Sequence, residues 1–220
     1  MERTIDSQLE ELKNLTVEMG GQVEKALQTV LLGINRRDLQ QFSAVHKIEE
    51  LVNDLQIKID NACLEVLAKQ GPVAKDLRFI LSIIKINTDL ERMGDQCVNI
   101  AYIGKDVLSR SPNISFQDIE VMAVTVKNMV KAALDSFVQM NTEMAKDILV
   151  MDDEVDRLKN KVVVEAIAKM KVQPDQVENL LDLILVARNL ERLGDHSTNI
   201  AEDVIFALTG KDIRHQPTNL

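Results

Sequence analysis

The sequence predicts an all-α protein: two tandem three-helix bundles, related by an internal duplication and packed as an elongated six-helix body. Three observations carry that expectation. Leu, Val, Ile, Ala, Met, Lys and Glu dominate the 220 residues, while glycine (8), proline (4) and aromatics (3%) are scarce, a mixture that favours helices and starves turn-rich sheets. Apolar residues recur at helical spacing almost throughout, with few breaks. The chain also matches itself when shifted by 100 positions.

The first helix is expected from about Thr4 to Asn35, with a weak spot at Gly20-Gly21, since glycine loses more freedom on folding than any other residue. The second starts after Asp38, whose carboxylate suits an N-cap, and reaches Lys69. Gly71-Pro72 closes it, because glycine favours the position just past a helix and proline the first turn of the next. A third, long helix extends from Pro72 to about Ser109. Ser111-Pro112-Asn113 reads as a loop and as the domain boundary. Phe116 restarts the periodicity, and the fourth helix lasts to about Met140. A fifth spans Thr142 to Lys171, and the Gln173-Pro174-Asp175 turn starts a sixth that ends near Gly210. The expected domains are therefore 1–110 and 114–210, followed by a frayed tail over 211–220.

The repeat is specific in its residues. Leu90-Glu91-Arg92-Met93-Gly94-Asp95 lines up with Leu190-Glu191-Arg192-Leu193-Gly194-Asp195, and Asn99-Ile100-Ala101 with Asn199-Ile200-Ala201. At a shift of 103, Glu49, Val52, Asn53 and Leu55 parallel Asp152, Val155, Asp156 and Leu158. Antiparallel helices joined by short turns pack as up-down bundles.

Composition excludes several function classes. With 26 Lys and Arg against 35 Asp and Glu, the net charge is -9, and no basic run offers nucleic acid a footprint. No stretch of about 18 apolar residues is present, so membrane insertion is not expected, and with no signal-like start the expected location is the cytoplasm. Cys63 and Cys97 lack zinc spacing and read as reduced core residues; the nine methionines read as core fillers. No Walker loop or glycine-rich strand-to-helix turn offers a phosphate cradle.

The chemistry sits in the acids. Glu91 and Asp95 are four residues apart, on one helix face about 6 Å apart along the axis, and Glu191 and Asp195 repeat the pair. Like charges at this spacing disfavour a helix by roughly 0.2 to 0.5 kcal/mol. Glu91 also falls in a seven-residue column with Leu77, Ile84 and Val98, as Glu191 does with Val177, Ile184 and Thr198. A carboxylate near a bundle interior must be paired, protonated or bound to metal. The preceding helices offer complements: Glu49 and Asn53 in the first half, Asp152 and Asp156 in the second. Brought together, each half would hold four oxygen ligands suited to a hard cation such as Mg²⁺ or Mn²⁺, or to carboxylate-bridged iron. The alternative from spacing is a set of ion-pair ladders in which Lys47, Arg92, Arg157 and Arg192 neutralise the acids. Gly94 and Gly194, directly before the aspartates, mark either helix crowding or close approach of an ion. Asn99 and Asn199 are either outer partners of the acids or satisfied structural amides, and His46, His196 and His215 share no ligand spacing.

These motifs, with Pro72-x-Ala74-x-Asp76-Leu77-Arg78 and the closing Gly210-x-x-x-Arg214-His215, resemble the PhoU family of phosphate-uptake regulators over nearly the whole chain. The resemblance implies a cytoplasmic, often dimeric negative regulator of the phosphate-starvation response. Its implied partners are the ATPase subunit of the phosphate ABC transporter and a membrane sensor histidine kinase. It also implies paired acidic motifs that hold metal ions (Mg, Mn, Fe or Zn), matched here by Glu91/Asp95, Glu191/Asp195 and Asp152/Asp156, while Asn53 departs from the expected acid after Glu49. A non-enzymatic adaptor follows from it. A carboxylate-bridged metalloenzyme is the competing class, but ferritin-like sites use Glu-x-x-His, which is absent here. A purely structural scaffold is the third.

Overall fold

A computed structural model of the chain describes residues 3–111 and 114–214. Pro112 and Asn113 of the expected loop, His215 and the rest of the tail lie outside the described residues. The helices are α1 (Thr4–Arg36), α2 (Leu39–Gln70), α3 (Ala74–Arg110), α4 (Gln117–Gln139), α5 (Thr142–Val172) and α6 (Val177–Thr209), with a 3-10 turn at Pro174–Gln176 before the last. No strand occurs among the described residues.

Local chemistry sets the ends. Asp38 caps α2 by accepting the amide of Gln40 at 2.9 Å, and Asn141 caps α5 by accepting those of Glu143 and Met144. Gly71 and Gly210 end α2 and α6 in the left-handed conformation, at φ 53° and 74°, which glycine adopts without a Cβ clash. Pro72 is not the first helical residue, because α3 begins two positions later at Ala74. The weak spot at Gly20-Gly21 does not interrupt α1. Gly20 instead marks a close approach: a β-carbon there would collide with Leu134 of α4.

Helices α1, α2 and α3 pack on one another, as do α4, α5 and α6, and the two units meet through α3 against α6 and α1 against α4. The inner pair runs antiparallel. Ser82 Oγ donates to the Asp203 carbonyl at 3.0 Å, and Lys85 Nζ lies 2.8 Å from Asp203 Oδ1. At the other end Arg110 reaches Glu178, at 3.1 Å, and Asp182. The seam is therefore a pseudo-twofold one, with buried Ile83, Ile86, Leu90 and Met93 of α3 repeated by Leu183, Val186, Leu190 and Leu193 of α6. Each such side chain contributes about 1.5 to 3 kcal/mol on burial. In the first unit Phe42 is clamped between glycines, since β-carbons on Gly33 and Gly104 would come within 2.7 and 2.8 Å of its ring.

Candidate functional site

The inner helices carry Glu91/Asp95 and Glu191/Asp195, and the outer helices α2 and α5 bring Glu49/Asn53 and Asp152/Asp156 to them. Buried valines set the register. A β-carbon on Gly94 would lie 3.3 Å from Val52 Cγ1, and one on Gly194 would lie 3.5 Å from Val155 Cγ1 and 3.6 Å from Asp152 Oδ1. Gly94 thus serves helix crowding, whereas the neighbours of Gly194 stand at ordinary contact distance, with Asp152 close against the α6 backbone.

In the second unit the acids of α5 and α6 act on one another. Lys159 Nζ bridges the two helices, 2.7 Å from Asp156 Oδ1 and 3.0 Å from Glu191 Oε1. Burial, then the charges of Asp195 and Asp156, pushes the Asp152 carboxyl up to about 6. Burial, then Glu191 and Asp156, also raises Asp195. One ammonium thus serves a half-buried group of carboxylates that disfavour one another's ionisation.

The first unit is milder. Asn53 Nδ2 donates to Glu49 Oε1, so the amide that replaces an acid satisfies its neighbour instead of repelling it. Glu91 is raised by burial first, then by Asp95, with Arg92 opposing and Glu49 adding. Asp95 and Asp195 stand at the exposed edge of their clusters, and Glu91 and Glu191 sit half-buried.

The oxygens approach without closing into a cage. Among the described residues, no group of three or more His, Cys, Asp or Glu side chains is gathered tightly enough to hold an ion as it stands. Like charges resist closer approach, and in the second unit Lys159 lies between Asp156 on α5 and Glu191 on α6. The donor set nonetheless suits a hard divalent cation: it is all oxygen, drawn from two helices, and short of positive charge.

The ladder expected from spacing is not formed by the cations that spacing suggests. Among the described residues none of Lys47, Arg92, Arg157 and Arg192 forms an ion pair with the eight candidates; Arg157 pairs with Glu154 at 2.6 Å. Lys159 is the cation that enters, and the signal for it was its place three residues after Asp156 on the same face. Spacing gives no sign of Asp89 either, although its Oδ1 lies 2.7 Å from His196 Nδ1 and accepts from Asn199 Nδ2 at 3.0 Å. His196 therefore faces α3 rather than serving the second cluster, and Asn199 binds across the seam. His46 packs edge-on against Tyr102, with ring centroids 4.7 Å apart. Cys63 and Cys97 are free and buried, and burial pushes both thiols up to about 12, so neither is a ready nucleophile or ligand.

Comparison with known proteins agrees with this duplicated arrangement. The family model described as PhoU domain matches twice, at residues 16–103 and 119–204. A phosphate-specific transport system accessory protein PhoU homolog from Clostridium acetobutylicum is 33% identical over 212 residues, covering 96% of this chain and 97% of the relative. The crystal structure of PhoU from Pseudomonas aeruginosa superposes with a TM-score of 0.91 at 31% identity, covering 94% of this chain and 100% of that one. A phosphate transport system regulatory protein PhoU from Streptococcus pneumoniae gives 0.86 at 27% identity, over 94% of this chain and 98% of that one.

Proposed function

The chain belongs to the PhoU family, and on that premise we propose that it is a non-catalytic cytoplasmic accessory protein of a phosphate transport system. It acts as a negative regulator of phosphate uptake and of the phosphate-starvation response. Its helical surfaces engage the ATPase subunit of the phosphate ABC transporter and a sensor histidine kinase, and it works as a homodimer. Its relatives, named as accessory and regulatory proteins of phosphate transport, support this reading. No helix among the described residues is long and apolar enough to cross a membrane. Such an adaptor reports phosphate only if its partners' phosphate-dependent states bind it with different affinity.

The observation that carries the reading is the duplicated acid-bearing helix pair. In the second unit Asp152, Asp156, Glu191 and Asp195 would hold a divalent cation. In the first, Glu49, Glu91 and Asp95 would do so, with the amide oxygen of Asn53. A bound cation supplies charge that ties the outer helix to the inner one, stiffening the surface offered to partners. The Asn53 amide leaves the first site with one charge fewer, so it binds more weakly.

Removing the protein in its own host should raise a phosphate-starvation reporter during growth on abundant phosphate, and reintroducing it should silence the reporter. An unchanged reporter would remove the regulatory reading. Co-purification from phosphate-rich and phosphate-poor cells should recover the transporter ATPase subunit and the kinase in phosphate-dependent amounts.

A further inference from the structure

Two sequence motifs that the acid clusters do not use meet at one end of the bundle. Arg78, from the Asp76-Leu77-Arg78 run at the start of α3, lies beneath Gly210, where a β-carbon would stand 3.5 Å from its Nε. Arg78 in turn borders a cleft of about 440 Å³ between the starts of α1 and α3 and the ends of α4 and α6. Both units therefore contribute to it.

The cleft's charges are unequally satisfied. Arg3 is committed: its guanidinium binds Asp76, which is 3% exposed, at 2.8 Å and Asp6 at 2.6 Å. Arg78 is not. Its Nε is shut off from solvent and makes no hydrogen bond, and among the described residues no carboxylate pairs with the guanidinium. Among the described residues Lys13 and Lys75 also line the cleft without an ion pair, although the charge of Lys75 reaches Asp6, against one unpaired carboxylate, Glu10. A partly buried guanidinium with no counter-ion is costly, and it presents a planar fork that matches an oxyanion. Unneutralised lysines beside it favour a dianion over a carboxylate. Leu9, Phe79, Met140 and Leu208 supply an apolar wall, and Phe79 is held by stacking on Phe137 at 6.2 Å.

We propose that this cleft binds a phosphate-type oxyanion, either free phosphate or the phosphate group of a mononucleotide-sized ester whose body lies on the apolar wall. Arg78 grips the oxyanion, and Lys75 and Lys13 supply the remaining charge. Because the site joins α1 and α3 to α4 and α6, occupancy would bear on how the two units sit together. The inference rests on the cleft alone and needs neither the acid clusters nor the regulatory reading.

The test is calorimetric titration of the full chain, in chelator, with inorganic phosphate and separately with adenosine monophosphate. One ligand per chain is expected, with Arg78→Ala weakening binding at least tenfold and a Lys13→Ala, Lys75→Ala double change weakening it severalfold. The lysine pair is a surface change, and it decides the matter if the arginine variant does not fold. Tighter binding of the nucleotide means that the apolar wall is used; equal binding means that phosphate alone is recognised. Asp152→Asn should leave these affinities unchanged. Absence of binding of both ligands up to about 10 mM, or unaltered binding by the folded variants, overturns the proposal.

Discussion

His196 Nδ1 lies 2.7 Å from Asp89 Oδ1, joining α6 to α3 across the seam between the duplicated units, with both side chains about 15% exposed. Its pseudo-symmetric positions hold Gln96 and Asn189. There no equivalent bond forms: Asn189 Nδ2 turns to the Leu185 carbonyl at 2.7 Å, and Gln96 Oε1 is buried without a partner. The duplication has kept the positions and made the contact on one side only.

Breaking that contact should loosen the seam. Asp89→Asn and His196→Gln are each expected to lower unfolding stability by about 1 to 2 kcal/mol, the first by removing the charge from a largely buried acceptor and the second by removing the ring donor that Asp89 meets. The double change installs the amides of the opposite side and should cost less than the sum of the two. Urea denaturation of all four proteins measures the coupling, and strict additivity would show that the pair does not act as a unit.

The second cluster makes stability depend on pH. A carboxyl whose folded value is raised binds protons better in the folded state, so its destabilising effect is absent below 3.8, grows up to about 6, and is complete above that for Asp152. Asp195 and Glu91 shift in the same direction. In chelator at neutral pH, Asp152→Asn should therefore stabilise the protein by about 1 to 2 kcal/mol, less than the full shift would give because water reaches the cluster. Melting at a series of pH values should show the gain vanish as pH falls through that window.

Lys159 should compete with metal. Lys159→Met removes the ammonium between Asp156 and Glu191, so the metal-free protein should be less stable by about 1 kcal/mol. The same variant should bind Mn²⁺ more tightly than the parent, which a calorimetric titration reads directly.

The five buried helical glycines, Gly20, Gly33, Gly94, Gly104 and Gly194, should not be equivalent. Gly104→Ala drives a methyl to within 2.8 Å of the Phe42 ring, a rigid neighbour held on its other side by Gly33, and should cost about 1 to 3 kcal/mol. Gly194→Ala meets ordinary contacts at 3.5 Å and beyond. There the gain in helix propensity, about 0.5 to 1 kcal/mol, offsets the crowding. Thermal melts of the two variants should differ by several degrees.

Helix placement was legible because apolar spacing and a few breaks, Asp38, Gly71 and Gly210 among them, act locally. Glu91/Asp95 and Glu191/Asp195 stand out in the sequence because the repeat puts the same acids at corresponding positions, whereas Glu49/Asn53 and Asp152/Asp156 correspond in place and not in residue type. What spacing could not supply was which cation enters, because Lys159 reaches Glu191 only after α5 and α6 have packed. The same holds for Asp89: its role exists only across the antiparallel seam, where residues 107 positions apart become neighbours. Arg78 and Gly210 were visible as separate motifs, but their meeting needed the bundle closed.

The acid group on α5 and α6 is the centre of the account, and titration of metal-free protein with Mn²⁺ tests it most directly. The parent should take up the ion tightly in its second unit and more weakly in its first, and an Asp156→Asn, Asp195→Asn protein should lose the tight phase while keeping the weak one. Identical isotherms for the two proteins, or no uptake by the parent, would contradict it.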